Sequence, residues 1–363
     1  MTGLDNIQVP QTQGVKYAGS KLKLLPYIMS AVKSLPVRKV LDAFAGTTRV
    51  SQAFAQSGYD TTCNDVAVWS EVFGNCYLVA DKPDAFYQKL IDQLNRLDGY
   101  DGWFSQHYGG EGPEGHRPFQ LHNTRKLDAI RDQIDRFDLS WPDKCVLLTS
   151  LILGLDAVDN TLGHYAAYLS GWSARSCGTL ELKLPRRFRL TTHNRVLRSD
   201  VFEALRDRYD LVYFDPPYGS NNEKMPPSRV RYAAYYHLWK TVILNDRPEL
   251  FGKSARREDS RDAVSASVFE EYRKDADGKF LAMRAIDRML AQADARYVLL
   301  SYSSGGRATR EELFEILQNH GRLLSAVEID YRQNVMAHIV STRQWLRDEA
   351  APHKEYLFLL DRR

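Results

Sequence analysis

The stretch Tyr209-Asp210-Leu211-Val212-Tyr213-Phe214-Asp215-Pro216-Pro217-Tyr218 decides the fold. Its apolar, β-branched and aromatic run predicts a buried strand. The run stops at an acid, two prolines and an aromatic ring. Proline has no N–H for a central ladder, so Asp215 is expected where strand gives way to loop. In open α/β sheets ligands bind at that carboxyl edge. The paired prolines stiffen the backbone, and the Pro216 carbonyl can be aimed outward as an acceptor. A plain strand-ending turn would use the same residue types. The choice between the two rests on the rest of the chain.

Upstream, residues before Gly14 read as a loose polar segment. Lys16-Tyr17-Ala18-Gly19-Ser20-Lys21 follows, then an amphipathic stretch over 22–35 that predicts a helix. Residues 38–41 form a short predicted strand running into Asp42-Ala43-Phe44-Ala45-Gly46-Thr47-Thr48-Arg49. A helix over 50–56 is closed by Gly58 at the position of a C-cap. A second strand over 60–63 ends at Asn64-Asp65. Strand, small-residue turn, helix, strand and acid make a nucleotide-binding βαβ opening, with the acid about 20 residues past the turn, where it can bind ribose hydroxyls. Gly46 is the turn's only glycine, so no G-x-G-x-x-G is present to press a pyrophosphate onto the helix N-terminus. That argues against NAD or FAD. A nucleoside ligand without phosphates fits better, and S-adenosylmethionine is the commonest.

The remaining chain extends the α/β pattern and interrupts it once. From 99 to about 185 the spacing changes: a Gly-, His- and aromatic-rich segment, helices over 123–137 and 141–157, and a polar turn at Asp159-Asn160-Thr161-Leu162-Gly163-His164-Tyr165. An insertion of this length in an α/β core usually carries recognition. Residues 183–198 hold six Lys/Arg and no acid, among them Arg186, Arg187 and Arg189. Such a run suits phosphate contacts, although a solvated face would look the same. A third strand over 195–197 leads to Asp200, again at the ligand edge. An aromatic helix is expected over 232–243, a helix over 280–293 and a strand over 296–302. Thr309-Arg310-Glu311-Glu312 is a capping box that opens a helix ended by Gly321. Strands over 323–331 and 355–360 complete the sheet, the last as an antiparallel edge. The organisation expected is therefore a catalytic part over 1–98, a target-recognition insert over 99–194, and a second catalytic part over 195–363.

Composition sets the bounds on function. The chain has 363 residues, 44% hydrophobic and 26% charged, which is ordinary for a globular protein able to bury a large core. The net charge is only +3, so nucleic-acid binding has to come from local basic patches. Cys63, Cys76, Cys145 and Cys177 show neither zinc spacing nor a disulfide framework, which predicts reduced cysteines, no metal and a cytoplasmic location. No apolar stretch approaches the ~18 residues of a membrane span, so no membrane partner is expected.

Chemistry joins the two halves. An adenine exocyclic amine is a poor nucleophile because its lone pair is delocalised into the ring. A carboxylate accepting one N–H and a carbonyl accepting the other would localise that pair toward a sulfonium methyl. Asp215 and the Pro216 carbonyl have the right chemistry, and in-line transfer would then depend on positioning and electrostatics. Asp215 thus reads as an acceptor that orients the amine rather than as a general base. Tyr218 would stack on a base flipped out of the duplex. Cytosine C5 chemistry would need a nucleophilic cysteine, typically after a proline, and no Pro-Cys pair occurs.

Together these motifs resemble the Dam-like, alpha-group N6-adenine DNA methyltransferases over nearly the whole chain. The order carries the likeness: Lys16-Tyr17-Ala18-Gly19-Ser20-Lys21, then Asp42-Ala43-Phe44-Ala45-Gly46, then Asp65, the insert, and Asp215-Pro216-Pro217-Tyr218. The resemblance implies a Rossmann-like class I S-adenosylmethionine-dependent methyltransferase sheet, with an inserted, mainly helical target-recognition domain. It implies cofactor contacts from Tyr17 and Lys21, a methionine pocket shaped by Asp42, Phe44 and Gly46, ribose binding by Asp65 and an adenine contact from Asp200. Asp215, Pro216 and Tyr218 would be catalytic. The implied partner is double-stranded DNA, in a restriction–modification system with a cognate endonuclease or in a solitary or phage-borne setting. Asn160, His164, Tyr165, Arg186, Arg187 and Arg189 are the candidates for DNA contact. Two positions depart from the family pattern: Thr48 stands for the second glycine of the cofactor loop, and Tyr17 stands where some members have Trp. A methyltransferase for RNA or protein amides, and a DNA-binding protein without catalysis, are the alternative readings. Amide-modifying relatives usually carry Asn at the Asp215 position and lack the N-terminal lysine motif, which favours DNA.

Overall fold

The computed structural model describes residues 9–221, 230–331 and 353–363; of Tyr331 and His353 only the backbone is described. The sheet is built from β1 (Lys39–Asp42), β2 (Asp60–Asn64), β3 (Arg195–Leu197), β4 (Tyr209–Phe214), β5 (Ala295–Ser303), β6 (Arg322–Tyr331) and β7 (His353–Asp361). Among the described residues it has seven strands in the order β6-β7-β5-β4-β1-β2-β3. The run around Leu211 is the central strand β4, parallel to β1 through Leu41↔Val212 and to β5 through Val212↔Val298. β2 and β3 extend the parallel block through Leu41↔Thr62 and Cys63↔Val196.

The last strand departs from expectation. β7 is antiparallel, but it is no edge. It lies between β5, with Glu355 opposite Ser303, and β6, with Glu355 opposite Ile329. The edge at that end is β6. Parallel strands bring their ends to the ligand edge, whereas an antiparallel strand brings its beginning there. Glu355, near the start of β7, therefore arrives beside the end of β5 and on the same side as Asp215.

Both faces of the sheet are covered, as the period-two alternation of β4 requires. Leu211 and Tyr213 pack with Val40, Leu299 and Leu359 against α1 (Leu25–Val32) and α2 (Arg49–Gln56). Val212 and Phe214 face the other way, with Val298, Leu300 and Phe358. There they meet α8 (Val201–Ala204), α12 (Leu281–Gln292) and α13 (Arg310–His320). Thr309 and Glu312 form the expected capping box of α13, and Gly321 ends it.

A third apolar cluster joins α3 (Val68–Gly74), α4 (Asp84–Asn95), α5 (Trp103–Tyr108), α6 (Leu121–Arg136), α7 (Trp141–Val158) and α10 (His237–Leu244). Phe104, Leu127 and Leu148 share this cluster with Val72, Phe73 and Trp239, so the stretch 99–194, expected as an insert, has a core continuous with the sheet-flanking helices. Three local expectations change. Residues 22–35 divide into a 3-10 turn, Lys21–Lys23, and α1, which starts with Pro26 in its first turn, where proline is tolerated. The aromatic helix over 232–243 breaks at Tyr236 into α9 (Tyr232–Tyr235) and α10. Gln11 and Gln13, expected to be loose, are fastened to α2 by Gln56 and Gln52. Among the described residues no helix is long and apolar enough to cross a membrane.

Candidate active site

The ends of β1, β2, β3 and β4 carry Asp42, Asp65, Asp200 and Asp215 to one edge, and all four line a single cavity of about 870 Å³. That volume lies within the range of small-molecule sites. Its walls include Tyr17, Phe44, Trp69, Tyr213, Tyr232 and Phe269. The same walls also carry Lys21, Arg198 and Arg231, so the cavity is mixed in charge, and the feature that suits a cationic group is the buried Asp42 carboxylate.

Each acid is held differently. Asp42 is 1% exposed; Oδ2 accepts from the Ser51 hydroxyl at 2.6 Å, while Oδ1 is buried with no hydrogen-bond partner among the described residues. Burial pushes this carboxyl up to about 7, aided by the nearby Asp215 and Asp65, while Ser51 opposes the rise. A buried acceptor beside a cavity is incomplete until a cation or donor reaches it. Asp65 receives backbone N–H groups from Gly46 at 2.8 Å and Ala67 at 2.9 Å, so it braces the small-residue turn. Asp200 is exposed and its Oδ1 caps α8 through the Phe202 N–H at 2.9 Å.

The turn itself is left-handed at Gly46, with φ 52°, and again at Thr48, with φ 62°. A Cβ at Gly46 would come within 3.1 Å of the Tyr17 ring, so the absence of a side chain lets Tyr17 lie over the turn. Thr48, fully buried, accepts the Gln52 amide at 3.1 Å in a conformation a β-branched residue seldom adopts. Tyr17 stacks on Tyr236 at 4.6 Å and on Tyr232 at 5.4 Å between ring centres. The break in the aromatic helix has a purpose here: the Tyr236 hydroxyl accepts the Ala18 N–H at 2.7 Å and so fixes the N-terminal motif to α10.

The centre of the site is a four-residue cluster. Lys21 Nζ lies 2.9 Å from Asp215 Oδ1 and 3.3 Å from Glu355 Oε1, and donates to the Gly19 carbonyl at 3.3 Å. The Tyr218 hydroxyl contacts Asp215 Oδ1 and, at 2.7 Å, Glu355 Oε1. The Lys21 ammonium also sits 5.1 Å from the Tyr218 ring centre. Burial raises Asp215 to about 6; Glu355 adds to the rise, while Lys21 and Tyr218 oppose it. Burial alone would lower Lys21, but Asp215 and Glu355 outweigh it and hold the ammonium charged.

The structure thus brings Tyr17, Lys21, Asp42, Phe44, Gly46, Asp65, Asp200 and Asp215 to one cavity. Pro217 lines it beside Asp215, whereas Pro216 is buried and Tyr218 turns its hydroxyl into the carboxylate pair. The insert candidates separate into two groups. Asn160 is wholly buried, its oxygen taking the Ser173 N–H at 2.9 Å, and Tyr165 is 2% exposed within the core. Arg187 donates to the carbonyls of Ala80 and Lys82 and covers the Tyr87 ring at 4.5 Å. Those three side chains are engaged in holding the fold. Arg186 and Arg189 are exposed, and His164 is half-buried, stacked on Tyr235 at 4.3 Å. Glu355, Tyr232 and Trp69 are site residues that the sequence reading missed. Tyr232 lay within a stretch read as a helix, Trp69 lay in a stretch to which no element was assigned, and nothing local marks Glu355.

Comparison with known proteins places the chain in a family. The chain is 28% identical to the type II methyltransferase M.NlaIII of Neisseria lactamica, over 88% of this chain and 92% of that protein. It is also 28% identical to the modification methylase StsI of Streptococcus sanguinis, over 88% of this chain and 48% of that protein. To the type II methyltransferase M.FokI of Planomicrobium okeanokoites it is 24% identical, over 96% of this chain and 53% of that protein. The chain therefore spans about half the length of two of these relatives and nearly all of the third. The profile of one family matches residues 17–280, from the aromatic of the N-terminal motif through Asp215 and beyond. With the matched span covering most of the chain, the protein belongs to the D12 class N6 adenine-specific DNA methyltransferase family.

Proposed function

We propose that this chain is a site-specific DNA methyltransferase that moves a methyl group from S-adenosylmethionine to the N6 amine of an adenine flipped out of duplex DNA. The observation that carries the reading is one cavity shared by Asp215, the acceptor for the amine, and the buried Asp42 carboxylate, which suits a cationic nucleoside cofactor. The residues fit that cofactor: the unpartnered Asp42 Oδ1 is placed for a positively charged group, and Tyr17, Phe44 and the left-handed turn at Gly46 give an apolar, close-fitting wall.

When bound, S-adenosylmethionine supplies a methyl group activated by its sulfonium charge. Asp42 would hold the cofactor's amino group, Asp65 the ribose and Asp200 the adenine moiety. Asp215 accepts one N–H of the target amine and the Pro216 carbonyl the other, which directs the nitrogen lone pair at the methyl carbon. As the methyl group is transferred the amine would give up one proton to solvent, with Asp215 acting as the acceptor that orients the nitrogen and not as the base. Pro217 and Tyr232 line the cavity and would offer the stacking surface for the base, a contribution of roughly 1–3 kcal/mol toward the cost of flipping, whereas Tyr218, expected to stack, is turned to the Asp215 and Glu355 carboxylates. We assign 99–194 to target recognition, with Arg186 and Arg189 as its backbone contacts and His164 as a contact nearer the base. Double-stranded DNA is the substrate, and a restriction endonuclease of matching specificity is the partner expected in a modification setting.

The test is incorporation of labelled methyl into unmethylated genomic duplex DNA, with nucleoside digestion to identify the product and sequencing of the modified bases to return the site. N6-methyladenine at one motif, abolished by Asp215→Ala with cofactor binding retained, is the expected result. Full activity in a folded Asp215→Ala protein would refute the mechanism.

A further inference from the structure

Glu355 lies outside the span that defines the family, yet its carboxylate is part of the reaction centre. We propose that Glu355 is a positioning residue for methyl transfer: it competes with Asp215 for the Lys21 ammonium and the Tyr218 hydroxyl, and so leaves the Asp215 carboxylate available to the substrate amine. This deepens the methyltransferase reading and rests on it.

Counting donors gives the argument. Lys21 has three N–H bonds, and its three acceptors are the Gly19 carbonyl, Asp215 and Glu355. Tyr218 has one hydroxyl proton but two carboxylate neighbours, Asp215 Oδ1 and Glu355 Oε1. It can donate to one of them at a time. Both donors converge on the same Asp215 oxygen. Each one that stays there withdraws electron density from the carboxylate that has to localise the amine lone pair. Glu355 is the second acceptor within reach of both, at 3.3 Å from Lys21 and 2.7 Å from Tyr218. When an adenine amine approaches Asp215, both donors can pass to Glu355 without being left buried and unpaired, which would be costly.

The groups facing Asp215 are Lys21 from the N-terminal turn, Tyr213 on its own strand, Tyr218 after it, Asp42 from β1, Tyr232 from α9 and Glu355 from β7. Among the described residues only Glu355 is both a carboxylate that raises Asp215 and an acceptor for the donors that lower it. Glu355→Gln keeps the shape and removes the charge. Lys21 and Tyr218 should then settle on Asp215, weakening it as an acceptor and lowering its pKa.

The experiment is single-turnover transfer of labelled methyl from S-adenosylmethionine to genomic DNA lacking N6-methyladenine, across pH, for wild type, Glu355→Gln and Glu355→Asp. The expected result for Glu355→Gln is a transfer rate lower by roughly tenfold to a hundredfold, the range for losing one charged hydrogen bond. Calorimetric affinity for S-adenosylmethionine should be unchanged. The acid limb of the rate profile should move to lower pH, and Glu355→Asp should restore part of the rate. A Glu355→Gln rate equal to wild type overturns the proposal. So does a rate loss matched by lost cofactor affinity with an unmoved acid limb, the mark of a merely structural carboxylate. Wild-type protein that binds cofactor but methylates no DNA would overturn the methyltransferase reading and this inference with it; active wild type with an indifferent Glu355→Gln overturns this inference alone.

Discussion

Replacing Lys21 by methionine removes, among the described residues, the one cation that touches both Asp215 and Glu355. The side chains of Lys21, Asp215 and Glu355 are 9%, 15% and 8% exposed, so this is a buried cluster and not a screened surface pair. Removing one partner of a buried pair usually costs about 3–5 kcal/mol, because an uncompensated charge stays behind. For 363 residues, an unfolding entropy near 2 cal/mol/K per residue turns that loss into a fall in Tm of roughly 4–7 °C.

The loss should depend on pH, and its direction follows from proton linkage. A carboxyl whose folded pKa lies above its unfolded value binds more protons when folded, so stability falls as pH rises through that interval. For Asp215 the interval runs from 3.8 to about 6 in the intact protein. Lys21 opposes the rise, so its removal carries the upper limit higher. At pH 5 the variant can protonate its buried carboxyl and recover much of the lost stability, and at pH 8 it recovers less. Calorimetric Tm values of wild type and Lys21→Met, compared at both pH values, should therefore show a clearly larger gap at pH 8. An equal gap would mean that the carboxylates are not held apart by burial in the way the geometry implies.

Other consequences are simpler to read. Asp42→Asn keeps an acceptor for Ser51 but loses the charge at Oδ1, and should weaken S-adenosylmethionine binding in calorimetry by roughly tenfold or more with little change in Tm. Gly46→Ala places a methyl group against Tyr17 in a left-handed turn and should cost about 1–2 kcal/mol in denaturant unfolding from the backbone alone. Arg186→Ala with Arg189→Ala should flatten the dependence of log Kobs for DNA on log salt by about 2, if both contact phosphates. Arg187→Ala should instead lower Tm, because its guanidinium holds the Ala80 and Lys82 carbonyls.

What could be read from the sequence, and what could not, follows from strand direction. The expectation that acids at strand ends share one edge agrees with where Asp42, Asp65, Asp200 and Asp215 lie, because β1 to β4 are parallel and each delivers its end to that edge. Side-chain direction within the insert was harder. Asn160 and Tyr165 stand in a polar turn, yet tertiary packing buries both, and no periodicity in such a short segment distinguishes a surface turn from a covered one. Glu355 illustrates a different limit. A search for acids at strand ends passes over an acid at a strand start, and β7 was expected at the edge, where its first residues would meet solvent. Only insertion of β7 between β5 and β6, antiparallel to both, turns its beginning toward the reaction centre. The same crossing joins the two extremes of the chain: Lys21 precedes the first strand and Glu355 opens the last. The N-terminal lysine motif is therefore incomplete without the C-terminal strand. Removing the Glu355 carboxylate alone would leave the Lys21 ammonium and the Tyr218 hydroxyl, among the described residues, with Asp215 as their one carboxylate partner, the arrangement least suited to accepting an amine.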